Sequence, residues 1–255
     1  MKSLAKCFVF VILLILGFAQ SAFAVSCGEQ LAGGPGYGKH PYQDYHMTGN
    51  LRCPFASGPI IGPWARLYMH GFEISGIQAT RNNFGLRIRG NNAQIIGQGG
   101  KIRRFNNGIS VIGEDTVVTG VSVENCASNG VVVDQLGSSV ILSGMSPNYN
   151  RKSGFRVSSG TTATISQSQA IGNGFEGIHC RDADCYVYFT EARKNLGAQI
   201  LGSSNAYVQL YATCPHLAHA SASEIRIYNP QCASMICKGT DNGVFTGDIG
   251  ICQYQ

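Results

Sequence analysis

Gly85, Gly108, Gly130, Gly154, Gly177 and Gly197 recur at intervals of 20 to 24 residues. Each opens one short phrase, usually after an Asn or Ser. The phrases are Gly85-Leu-Arg-Ile-Arg, Gly108-Ile-Ser-Val-Ile, Gly130-Val-Val-Val-Asp, Gly154-Phe-Arg-Val-Ser, Gly177-Ile-His-Cys-Arg and Gly197-Ala-Gln-Ile-Leu. A fixed period in this range marks a chain that stacks one structural unit on the next. It excludes most other ways of folding a chain of this length.

Take each glycine as position zero. Position one holds Leu86, Ile109, Val131, Phe155, Ile178 and Ala198; position three holds Ile88, Val111, Val133, Val157, Cys180 and Ile200. Both columns are apolar. Position two is mostly polar, with Arg87, Ser110, Val132, Arg156, His179 and Gln199. Such alternation puts odd positions on one face of a strand and even positions on the other. Two more short apolar pieces follow in each coil, for example Val117, Val121 and Val123, then Val187 and Phe189 in a later coil. Three strands per coil predict an all-β chain, a right-handed parallel β-helix of about seven coils. Asn82-Asn83, Asn106-Asn107, Ser128-Asn129, Asn173 and Asn195 precede the glycines. Asn accepts left-handed backbone and bonds to its own chain, so a sharp corner is expected there. Asparagines stacked at one corner could also pair between coils.

The ends read differently. Lys2 and Lys6, the apolar run from Cys7 to Phe18, and Ala22-Phe23-Ala24 predict a cleaved secretory signal over 1–24. Residues 25–50 carry no strand period, and an irregular leader is expected there. The β-helix is expected over 51–213, with Gly58 as an early repeating glycine and an insertion near 78–83. The ladder is expected to stop at Cys214, and 214–255 to form a cysteine-rich cap, because an open solenoid end exposes unpaired backbone.

Without residues 1–24, Lys plus Arg falls from 19 to 17 against 14 acids. This mild basicity gives no reason to expect nucleic acid as a partner. No membrane span is expected once the signal is removed. Nine cysteines remain after Cys7 leaves with the signal. Export favours disulfides, and an odd count leaves at least one thiol unpaired within the chain. Cys126 is the candidate, as it takes the place that Phe105 holds one coil earlier. Cys27 groups with Cys53, Cys180 with Cys185, and Cys214, Cys232, Cys237 and Cys252 lie together near the C-terminus. Sequence alone leaves the connectivity open.

The phrases Cys27-Gly28, Leu51-Arg52-Cys53-Pro54 and Leu67-Tyr68-Met69-His70-Gly71-Phe72-Glu73-Ile74-Ser75-Gly76, followed by the Asn-Asn-Gly coils, resemble secreted right-handed parallel β-helix repeat proteins of the pectate-lyase-like superfamily. The resemblance spans about residues 27–213. It implies the β-helix fold. It implies no one activity, since the superfamily holds polysaccharide lyases, hydrolases, epimerases and proteins without known activity. Its mannuronan epimerases carry an Asp-Pro-His-Asp motif. This chain has Asp182-Ala183-Asp184-Cys185 instead, so those roles are not carried over.

Two groups of residues suit an acidic polysaccharide. His179, Arg181 and Asp182, with Arg156, bring an imidazole, guanidinium groups and a carboxylate towards one corner. Polyuronate chemistry needs a base for the C5 proton and cations for the sugar carboxylate. A turn braced by Cys180 and Cys185, with solvated charges, accounts for the same residues without catalysis. Calcium or zinc would suit these carboxylates chemically, but the spacing fits no standard ligand pattern, so no cofactor is expected. The second group is an outward basic strip of Arg87, Arg89, Arg151, Lys152, Arg193 and Lys194, with Tyr186 and Tyr188 as stacking surfaces. Ordinary solubilising charge and partly buried tyrosine packing explain these equally simply. The function expected is binding or modification of an acidic polysaccharide, by lyase or epimerase chemistry if catalytic. The alternative is a non-catalytic surface or adhesion module built on a rigid rod.

Overall fold

The computed structural model describes residues 25–31, 42–77, 82–134, 139–158, 160–211 and 213. It also describes the backbone strands at 214–215, 217–221, 224–228, 236–239 and 244–247. The expected signal at 1–24 and Cys232 and Cys252 lie outside the described residues. All strands pair in parallel, and no helix occurs among the described residues.

The coils build a parallel β-solenoid with three faces. The first sheet takes one strand from each coil. Its seven central rungs run from Ile60–Ile61 through Phe84–Ile88, Asn107–Val111, Val131–Asp134, Phe155–Ser158 and Ile178–Arg181 to Ile200–Ser203. The second sheet follows one corner later, with strands such as Thr162–Ser166, Asp184–Tyr188 and Tyr207–Tyr211. The third holds Gln169–Ile171, Glu191–Arg193 and Cys214–Pro215.

Register explains the apolar columns. Leu86 pairs Ile109, which pairs Val131, then Phe155, then Ile178, then Ile200. All six side chains are fully buried and form one interior row. Full burial of each contributes roughly 1.5–3 kcal/mol. The second interior row runs Ile61, Ile88, Val111, Val133, Val157 and Cys180.

One column slips. Ile178 pairs Ile200, not Ala198, so Gln199 and not Gly197 takes position zero in the last of these coils. The reason lies in what the glycines are for. They are required where coils approach each other closely. A Cβ on Gly108 would lie 2.0 Å from Val123 Cγ1 and 2.6 Å from the Gly130 carbonyl oxygen. A Cβ on Gly197 would find its nearest atom at 3.1 Å. Gln199 tolerates its place by turning its side chain back, with Oε1 accepting from Asn195 Nδ2 at 2.7 Å.

The asparagines stack inside the corner between the third and first sheets. Asn150 Nδ2 donates to Asn173 Oδ1 at 3.2 Å, and Asn173 Nδ2 to Asn195 Oδ1 at 2.9 Å. Left-handed backbone at this corner belongs to the preceding residues, Arg104, Asn125, Tyr149, Gly172 and Lys194. The ladder asparagines therefore serve their neighbours' backbone, not their own φ angle. Cys126 sits in the same column between Phe105 and Asn150, buried and unpaired, as expected.

Both ends depart from expectation. The leader is not wholly irregular: Gln30–Leu31 pairs Ile60–Ile61, and Gln43–His46 pairs Ala65–Tyr68. The ladder does not stop at Cys214. Leu217–Ser221 and Ile236–Gly239 extend the first sheet, and Glu224–Tyr228 and Val244–Gly247 extend the second. Glu224–Tyr228 alternates as cleanly as the earlier strands, but no glycine-led phrase precedes Leu217 or Ile236 to mark a further coil. Among the described residues two disulfides are present, Cys27–Cys53 and Cys180–Cys185, which suits an oxidising compartment.

Candidate functional site

The outward face of the first sheet is set by the same alternation that fills the core. Arg156 lies beside His179 in adjacent rungs, and Ser158 beside Arg181. Asp134 precedes Ser158 in that second outward column. Arg181 then leads into a tight corner. Asp182 takes left-handed backbone with φ 49°, Ala183 turns inward, and the Cys180–Cys185 disulfide ties the two flanking strands from inside. The corner therefore holds Arg181 and Asp182 outward at the edge of the sheet.

Asp134, Arg156, Ser158, Arg181 and Asp182 line one cavity of about 260 Å³. Ser158 Oγ donates to Asp134 Oδ1 at 3.2 Å. Neither Arg156 nor Arg181 forms an ion pair among the described residues. Three of the four expected catalytic residues thus border one space. The fourth, His179, stands beside Arg156 but does not line that cavity.

His179 has its own partners. Its Nε2 shares a hydrogen bond with Ser203 Oγ at 2.9 Å. Its Nδ1 faces Glu176 Oε2 at 3.9 Å, and that oxygen accepts from Ser153 Oγ at 2.7 Å. Burial pushes the imidazole below its ordinary range. Glu176 pulls it back up, and the Arg156 and Arg181 cations push it down. The neutral ring is a competent proton acceptor, already engaged by Ser203.

The remaining strip residues do not converge. Arg87 is three rungs from Arg156 in the same column, and its guanidinium lies over the Phe84 ring at 5.3 Å. Arg89 is exposed, and the residues between it and Arg181 in its column are Ile112, Asp134 and Ser158. Arg193 pairs with Glu191 on the third sheet. Lys194 is exposed at the following corner. Tyr186 and Tyr188 face outward on the second sheet, where their rings meet Tyr207 and Tyr211 at 6.0 and 6.2 Å. They share no face with Arg156. Arg151 and Lys152 form a second cluster, with Phe175 and Leu196, at the corner that leads into the first sheet. Sequence reasoning missed Asp134, Ser158, Glu176 and Ser203 as neighbours of the site. Asp134 and Ser158 were visible as the column that ends in Arg181. Phe175 and Leu196 gave no signal, because the outward residues at this corner change character from coil to coil, from Arg151 and Lys152 to Gly174 and Phe175.

Among the described residues, no group of three or more His, Cys, Asp or Glu side chains is arranged to hold a metal.

No protein-family model and no curated protein sequence matches the chain. Two solved structures are similar to it in fold. One is the pectate lyase Pel9A, with a TM-score of 0.47 and 12% identity over 92% of this chain and 74% of that one. The other is a full-length tailspike protein from Escherichia coli O157:H7 bacteriophage CAB120, with a TM-score of 0.40 and 10% identity. That match covers 86% of this chain and a third of the tailspike, 33%.

Proposed function

We propose that this chain works outside the cell and binds an acidic polysaccharide on the outward face of its first sheet, over residues 131–203. One observation carries the reading: Arg156 and Arg181 border one open cavity, and neither guanidinium has a counter-ion among the described residues. Two unpaired forks on a rigid sheet suit sugar carboxylates, because planar guanidinium groups bind carboxylates in bidentate fashion. The nearby Asp134 carboxylate is held by Ser158, which leaves the cations as the available partners for an anion.

Lyase or epimerase chemistry extends this reading. Asp182, which lines the cavity, is then the better placed base for the C5 proton, since His179 is bound to Ser203 outside it. The arginines would hold the uronate carboxylate while charge develops on it.

Calorimetric titration with polygalacturonate and alginate fragments tests the binding. Arg156→Ala with Arg181→Ala should weaken it by at least about tenfold, since hydrogen bonds to charged groups contribute about 1.5–3 kcal/mol each. Unchanged affinity in that double variant overturns the reading. Absorbance at 235 nm and exchange of the C5 proton, followed in the same mixtures, separate lyase, epimerase and binding-only behaviour.

A further inference from the structure

Residues 149–152, 172–175 and 195–197 form successive corners between the third and first sheets. Within them Arg151 is followed one coil later by Gly174 and then by Leu196, while Lys152 is followed by Phe175. Gly174 cannot carry a side chain, because its Cβ would lie 2.2 Å from the Arg151 carbonyl oxygen. Gly172 has φ +67° and would meet the Tyr149 ring at 2.8 Å. Two glycines therefore keep a permanent notch in a row that otherwise projects side chains.

The notch opens into a cavity of about 620 Å³, within the usual range for small-molecule sites. Its walls are of two kinds. Phe175 is 51% and Leu196 86% exposed, which is unusual for large apolar side chains at a well-packed corner. Arg151 and Lys152 are exposed and form no ion pair among the described residues. An apolar face next to two free cations fits a ligand with one flat C–H face and one carboxylate. A hexuronate ring has both: its C–H face suits an aromatic surface, and its carboxylate suits Arg and Lys.

We infer that the pocket of Arg151, Lys152, Phe175 and Leu196 is a second subsite, taking another uronate unit of the same polymer. This rests on the polysaccharide reading above. Lys152 is four residues before Arg156 on the same coil, so their Cα atoms lie at most about 14 Å apart. Between them Glu176 is engaged by Ser153. The polymer therefore crosses the solenoid along the strand direction instead of following its long axis.

Binding of hexagalacturonate to the full chain tests this, with its fully methyl-esterified, uncharged form as control. Three proteins are compared: wild type, Arg151→Ala/Phe175→Ala, and Arg156→Ala/Arg181→Ala. All four positions face outward, and circular dichroism checks that each variant keeps the fold. The expected result is a loss on the order of tenfold in each double variant, with no binding of the ester. If only the Arg156/Arg181 variant loses affinity, the second subsite is overturned and the polysaccharide reading stands. A loss confined to the Arg151/Phe175 variant leaves the pocket as the anion site and overturns the sheet-face reading. Equal affinity for the ester, or no binding by the wild type, overturns both.

Discussion

Asn173 donates its side-chain amide to Asn195 Oδ1 at 2.9 Å, from one coil to the next, with both residues buried. Asn173 Oδ1 in turn accepts from Asn150, from the backbone N–H at 3.0 Å and from Nδ2 at 3.2 Å. Each amide thus holds the corner of the coil before it. Asn173→Ala leaves the Asn150 backbone N–H without its acceptor in a buried corner. A stability loss of about 2–4 kcal/mol is expected, from one or two unsatisfied buried donors at about 1–3 kcal/mol each. Urea unfolding of the variant measures it.

The slipped register at the last glycine gives a paired prediction. A Cβ on Gly154 would lie 2.7 Å from the Gly177 carbonyl oxygen and 2.9 Å from Asn173 Nδ2. Neither neighbour can give way without opening the ladder. Gly154→Ala should therefore cost at least about 2 kcal/mol, as overpacking in tight interiors does. Gly197→Ala meets nothing closer than 3.1 Å and should stay within about 1 kcal/mol. Equal costs in thermal or urea unfolding would count against the register.

These two cases show what the sequence made legible. The interior row from Leu86 to Ile178 follows from strand alternation alone, so it was readable at every coil. The glycine period was readable too, but its cause is contact between neighbouring coils. A residue that bends its own side chain away, as Gln199 does, can replace glycine, and counting glycines then misplaces the coil. Short edge strands such as Gln30–Leu31 carry too few residues to show a period. The cavity residues Arg156 and Arg181 were legible as outward positions. Their neighbour Ser203 was not, because the slipped register sets it opposite Arg181, where counting from Gly197 sets Leu201.

Cys126 offers a test of burial. Its thiol lies in the interior column below Asn150, and burial pushes its pKa up to about 12. The folded thiol therefore keeps its proton well above the pH at which an unfolded cysteine ionises, near 8.5. The unfolded state then binds fewer protons than the folded one, so stability falls as pH rises from about 9 towards 12. Cys126→Ala should flatten that part of the pH–stability curve. Iodoacetamide should leave the native thiol unmodified at pH 8 and label it quickly in urea. Fast native labelling would show the column to be open.

His179 tests the electrostatics of the site directly. Burial lowers its pKa, Glu176 raises it, and Arg156 and Arg181 lower it. Glu176→Gln should therefore move the ring's titration to lower pH, and Arg156→Ala should move it to higher pH. Because the folded pKa lies below the unfolded value of about 6.5, the unfolded state binds more protons below that pH. Stability is then complete above about pH 6.5 and declines as the pH falls through the folded pKa. His179→Gln should remove that part of the acid sensitivity. Ring C–H shifts followed by NMR across pH 4 to 8 report both displacements. Shifts of the same sign in Glu176→Gln and Arg156→Ala would mean that local charge does not set this pKa, and the picture of His179 balanced between an acid and two cations would be wrong.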